Sequence, residues 1–323
     1  MKAAHANATG LAPRRARQGA EGNERGSSVT RPAPAAALPR RLLTQNSDLR
    51  KQGIYNWSIP AWAGILPDGR RYNTCPSAGA CAPLCYARQG HYRFPNVRAR
   101  HEANLMMLLD DLPGWESAMT AELQHRRYQD RWVRCHDAGD FFAITPEKPL
   151  EYTKAWMRIM RAAPGVRFYA YTKSVSLFRE AVEPDPPPNF RWVYSLGGRE
   201  DHLVDTATER HVDVFPDEES LTEAGYTSRA KEGCLVSVLG PQRIGISANR
   251  ISHLRRKQGD KRFSELQAAQ DECRRSRNNR RAHPRCTQPH PDTARTSRCT
   301  SPAKHTASTK PGQPSPPPPD AAA

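Results

Sequence analysis

Ile54-Tyr-Asn-Trp-Ser-Ile59 alternates apolar with polar positions and runs into Pro60 and Gly64, a pattern that predicts a first strand. After a long polar loop, Asn96 is placed to cap a helix bearing Val97, Leu105, Leu108 and Leu109. Pro113-Gly-Trp-Glu opens another, with Trp115, Met119 and Leu123 at helical spacing. The pattern then shortens and alternates. Arg131–His136 predicts a strand, 150–160 a helix with Trp156, Ile159 and Met160 on one side, and Val166–Tyr171 a strand. Val175–Val182 follows as a short helix and Arg191–Leu196 as a strand. His211–Phe215 and Cys234–Leu239 are two further strand candidates, giving six, and no internal repeat is present. Strands alternating with helices define an α/β chain with a parallel sheet and right-handed crossovers, either an open sheet or an incomplete barrel. In both, ligands bind at the carboxyl ends of the strands.

Composition divides the chain into a core and two arms. The formal charge of +16 sits at the ends: residues 1–41 hold eight Lys/Arg against two Glu, and 255–310 hold fifteen against five acidic residues. Residues 42–254 are nearly neutral, with 26 basic and 25 acidic side chains. We therefore expect a disordered basic arm over 1–42, an α/β core over 43–268, and a disordered basic, Pro-rich tail over 269–323. The arms suit weak, salt-dependent contact with nucleic acid, and a solvated charge run explains them more simply. No apolar run reaches the length of a membrane span and no signal-peptide core is visible, so the expected location is the cytoplasm of a bacterial host, with reduced thiols.

Polar chemistry gathers where predicted strands end. Cys75, Cys81 and Cys85 fall within eleven positions broken by two prolines and a glycine, a poor core element but a suitable tripod of soft ligands for an iron-sulfur or zinc site. Their x5, x3 spacing matches neither a zinc ribbon nor a bacterial ferredoxin. Cys135 and Cys234 lie in apolar runs and read as core, while Cys273, Cys286 and Cys299 lie in the polar tail and read as incidental. His136, Asp137 and Asp140 follow the second strand and suit metal ligation, proton transfer, contact with a cofactor, or a simple turn. Lys173 follows the third strand, where it would neutralise an anion at the rim. Ser195, Gly197 and Gly198 follow the fourth, where glycine permits close backbone approach to a ligand. Asn249, Arg250 and His253 read as a cap and surface residues.

The strings Ile54–Trp62, Thr74–Arg88, His136–Phe142 and Phe168–Lys173 together resemble the phage gene product 88 family over about Leu43 to Leu266. That resemblance implies a phage or mobile-element context and no particular activity. A strand, a three-cysteine loop with the aromatic Tyr86 after its last cysteine, and about six βα units are more distantly similar to the radical S-adenosylmethionine enzymes. This second resemblance implies a partial (βα)6 TIM-like barrel in which Cys75, Cys81 and Cys85 bind a [4Fe–4S] cluster. The open iron of such a cluster chelates S-adenosylmethionine, whose one-electron cleavage gives a 5′-deoxyadenosyl radical. By the same resemblance His136, Asp137 and Asp140 would contact cofactor or substrate. The longer cysteine spacing departs from the usual x3, x2 pattern of that superfamily.

Three other classes compete with a radical S-adenosylmethionine enzyme acting on an unspecified substrate. One is a zinc protein completed by Cys75, Cys81, Cys85 and His136. Another is a metal-dependent hydrolase built on His136, Asp137 and Asp140. The third is a nucleic-acid accessory protein working through its arms.

Overall fold

The computed structural model describes residues 41–248 and 251–282. The described residues fall into two units, one ending at Cys273 and one beginning at Arg274, and the architecture below is that of the first. The expected arms lie outside the described residues apart from 41–42 and 269–282, as do Asn249, Arg250, Cys286 and Cys299.

In chain order the elements are α1 (Ser47–Lys51), β1 (Ile54–Trp57), β2 (Ala63–Ile65), β3 (Arg71–Asn73), α2 (Pro95–Asp110), α3 (Leu112–Leu123), β4 (Trp132–Cys135), α4 (Glu151–Ala162), β5 (Arg167–Thr172) and α5 (Val175–Ala181). They continue with β6 (Phe190–Ser195), β7 (His211–Phe215), α6 (Glu218–Glu223), β8 (Thr227–Ser228), α7 (Arg229–Glu232), α8 (Val236–Leu239), β9 (Arg243–Ser247), α9 (Ser252–Gln258) and α10 (Phe263–Ala282). Seven strands form one sheet in the order β1-β4-β5-β6-β7-β9-β8, and every pairing in it is parallel. The sheet is not closed, and β2 and β3 form a separate antiparallel hairpin.

Period-2 alternation sorts each strand between two apolar clusters. Val133, Cys135, Phe168, Ala170 and Phe190 face one layer, packed against Leu105, Leu108, Trp115, Trp156 and Phe178 from α2 to α5. Ile54, Trp132, Tyr169, Val193, Val212 and Ile244, from six strands, meet one another on the opposite face. Cys234 and Val238, around α8, and Leu49 of α1 complete that second cluster. The sheet curves enough to bring segments beside its two edge strands into contact. Gln52, just before the β1 edge, accepts a hydrogen bond from the Cys234 backbone at 2.8 Å, in the segment that follows the β8 edge.

Five of the six expected strands form. Cys234–Leu239 is instead a turn followed by α8, since a short apolar run fits a buried helix as well as a strand. The hairpin β2–β3 and the strands β8 and β9 were not expected; β8 and β9 raise the sheet to seven, and Ile244/Ile246 carry the alternation of β9. Asn96 does not cap α2. Pro95 occupies the first turn and the cap is Phe94, without a side-chain bond, because proline already supplies the helical φ and lacks the N–H a cap would satisfy. At α3 the capping side chain is Asp111, which accepts from Gly114 N at 2.8 Å. Helix α10 continues to Ala282, past the boundary expected at 268. No helix among the described residues is long and apolar enough to cross a membrane.

Phe168 is fully buried where β5 meets the helical layer. Phe168→Ala should lower unfolding free energy by about 3–5 kcal/mol in a urea titration, with an unchanged slope.

Candidate functional site

One cavity of about 320 Å3 opens over the carboxyl ends of the strands. Its walls include Cys75, Cys81 and Cys85 from the loop after β3, Asp137 and Asp140 after β4, and Tyr171, Lys173 and Ser195 at the ends of β5 and β6. The expected rim residues are thus brought together, but their side chains do different things.

The cysteine loop is held as a shaped object. Thr74 Oγ1 donates to the Trp62 carbonyl at 3.0 Å, Ser77 Oγ to Glu200 at 2.6 Å, and Cys81 N to the Gly197 carbonyl at 3.1 Å. Gln267 of α10 reaches in to accept from Ala80 N at 2.7 Å. A Cβ at Gly79 would lie 1.8 Å from that Gln267 oxygen, so any larger residue there would displace the Gln267 side chain. The three cysteines are free and partly buried, and Trp62 N donates to Cys75 Sγ at 3.2 Å. Desolvation raises all three thiols above their usual range, Cys85 to about 11. The positive charge of Lys173 opposes that rise at Cys81 and Cys85. Among the described residues, no three His, Cys, Asp or Glu side chains form a group able to hold a metal ion. The thiols share a cavity without closing on one point.

His136 borders the cavity but its ring leaves it. Strand alternation from Trp132 and Arg134 would aim His136 inward; instead its backbone takes a left-handed φ of 65°. The ring enters the helical layer, stacked edge-on against Phe141 and with Nε2 2.7 Å from Tyr152 Oη. Burial lowers its pKa to about 3, so the ring is neutral. Trp57 Nε1 also donates to Tyr152 Oη, at 3.2 Å. Nδ1 is buried and has no partner.

Asp137 and Asp140 are both engaged within the protein. Asp137 accepts from Arg134 at 2.5 Å and from Tyr92 Oη at 2.7 Å, while Tyr86 Oη donates to the Asp137 carbonyl at 2.8 Å. Asp140 accepts from Phe141 N and Thr172 Oγ1, both at 2.8 Å, and from Lys173 N at 2.9 Å. Burial raises its pKa to about 6 against those donors. Thus His136, Asp137 and Asp140 face three different partners rather than one metal or proton. Lys173 pairs with no carboxylate among the described residues: Nζ donates to the Ser195 and Leu196 carbonyls and to Ser195 Oγ, each at 2.7 Å.

Gly197 and Gly198 engage the cysteine loop and Asp201 through their backbones. Both N–H groups donate to Asp201, at 2.7 and 2.8 Å, and Gly198 bridges to Ala78. Two cavity cations, Arg134 and Arg229, were not marked by sequence. Arg134 sits mid-strand in an apolar run, where alternation alone reads a solvated face, and Arg229 opens a four-residue helix that reads as surface. Their guanidinium carbons lie 4.8 and 5.9 Å from the centroid of the Tyr171 ring. His253 is exposed, as expected of a surface residue.

Against known proteins, the gene product 88 family matches residues 39–281. The Gene 88 protein of Mycobacterium phage L5 is 35% identical over 116 residues, covering 33% of this chain and 46% of the relative. The chain therefore spans less than half the length of that relative. No solved structure matches the chain.

Burial raises the Asp201 carboxyl to about 6 despite its two glycine donors. A raised carboxyl pKa favours folding while protonated, so its contribution is present below about pH 4 and lost as pH rises toward about 6. The stability of the wild type minus that of Asp201→Asn, from urea midpoints, should fall across that interval.

Proposed function

The chain belongs to the gene product 88 family of phage proteins, and from that premise we propose that it is an iron-sulfur protein of radical S-adenosylmethionine type. The observation that carries this reading is three free thiols from one loop lining a single cavity at the carboxyl ends of a parallel, largely sequentially ordered sheet. The curvature that brings segments beside the two edge strands into contact supports reading the sheet as an incomplete barrel.

The donor set fits. Soft thiol ligands select iron-sulfur clusters or zinc. A cube of iron and sulfide spreads its cysteines over separate corners, so three thiols around a shared cavity suit it without meeting at one ion. A Cys3His zinc site lacks its fourth ligand, since His136 Nε2 is held by Tyr152 and Nδ1 lies buried in the helical layer. The hydrolase reading loses its ligand set in the same way, because Asp137 is neutralised by Arg134 and Asp140 is consumed by backbone and threonine donors.

The residues then divide the work. Cys75, Cys81 and Cys85 would hold the cluster, which when bound with S-adenosylmethionine supplies one-electron reductive cleavage. Lys173 stabilises the thiolates of Cys81 and Cys85 through its charge, fixed in position by three oxygen acceptors. Asp140 fastens the cysteine loop to β5, and its own N–H donates to the Thr74 carbonyl at 3.0 Å. Tyr86 closes one wall by bonding the Asp137 carbonyl, and Ser195 orients Lys173.

Anaerobic reconstitution of the full chain should yield about four iron and four acid-labile sulfide per chain, and Cys81→Ala should lose most of both. Tightly bound zinc without sulfide, or iron retained in the variant, would reject the reading.

A further inference from the structure

Charge around the cavity is not balanced. Its lining contains four cationic side chains, Arg134, Lys173, Arg229 and Arg255, against two carboxylates, Asp137 and Asp140. Asp137 is spent on Arg134, and Lys173 on neutral oxygens. Arg229 has no carboxylate partner among the described residues: it donates to Cys234 Sγ at 3.0 Å and lies against Tyr171. Arg134 is only 8% exposed. The Nε atoms of both arginines are buried without a hydrogen-bond partner.

An arginine stays charged, and enclosing one without a counter-ion is unfavourable unless an anion arrives to share the site. The thiolates are not that anion. Lys173 and Arg88 are the cations that act on the thiols, whereas Arg134 and Arg229 act on Tyr86 and stand around Tyr171. The two arginines are thus grouped around Tyr171.

We propose that Arg229, with Arg134 beside the Tyr171 ring, forms a subsite for one oxyanion of the substrate, a carboxylate or a phosphate. The planar guanidinium fork matches either group with two parallel donors. Tyr171 packs against both guanidinium groups and is itself anchored by donating from Oη to Ser237 at 2.8 Å. The substrate of this protein is then a small anionic molecule whose charged end is held beside Tyr171. This assignment rests on the cavity being the reaction chamber proposed above, and the subsite itself requires no cluster.

The test is calorimetric titration of the full chain, purified without iron, with inorganic phosphate and with succinate as separate arms. The wild type should bind at least one of them saturably, and the stronger arm identifies the group. Arg229→Gln should weaken that binding about tenfold or more, as expected for losing a charge-assisted bond. Arg229→Lys keeps the charge but not the fork and should weaken it several-fold, which carries the test if the glutamine variant does not fold. Absence of binding in both arms, or equal binding in wild type and variants, overturns the subsite. Because the protein is iron-free, failure of the cluster to assemble would reject the cofactor reading without altering this result.

Discussion

The buried carboxylate of Asp140 is the constraint on which the site depends. It gathers the first residue beyond itself, the end of β5 and the start of the turn to α5 onto its two oxygens, while its backbone donates to the cysteine loop. Burial opposes its charge, and three donors offset that cost. Without it, the segment after β4 would lose its side-chain tie to the end of β5. A carboxylate in this position is a fastener, and the chemistry lies in what it holds in place.

A second constraint is the curvature of the sheet. Side chains from six strands share one inner cluster, which lifts their next inward positions, Arg134, Tyr171, Ser195 and Val214, to the floor of the cavity. The outward positions build the helical layer that takes the His136 ring. Two faces of one sheet thus separate the helical support from the cavity. The Gly197–Gly198 turn and Gln267 press the cysteine loop over that chamber from two sides.

Much of this was legible from alternation. The strands at Ile54, Arg131, Val166, Arg191 and His211 carry the period-2 pattern, and the rule that ligands gather at their carboxyl ends located the rim. The direction of each rim side chain was not legible. His136 shows why: one left-handed residue reverses the face that alternation assigns, and nothing in His-Asp-Ala-Gly-Asp announces it. Arg229 illustrates the other limit, because it reaches Tyr171 only through curvature that brings β8 and β5 over one cavity. Cys234–Leu239 ends in a helix where a strand was expected for a related reason. Short apolar runs take strand or helix according to the gap they must fill.

The gene product 88 relationship supplies lineage, and the chemistry comes from the rim. The most direct measurement is electron paramagnetic resonance of the anaerobically reconstituted, dithionite-reduced full chain, recorded before and after S-adenosylmethionine. The account predicts the signal of a reduced cluster that shifts when S-adenosylmethionine binds its open iron. The absence of any cluster signal, or a signal indifferent to S-adenosylmethionine, would contradict it.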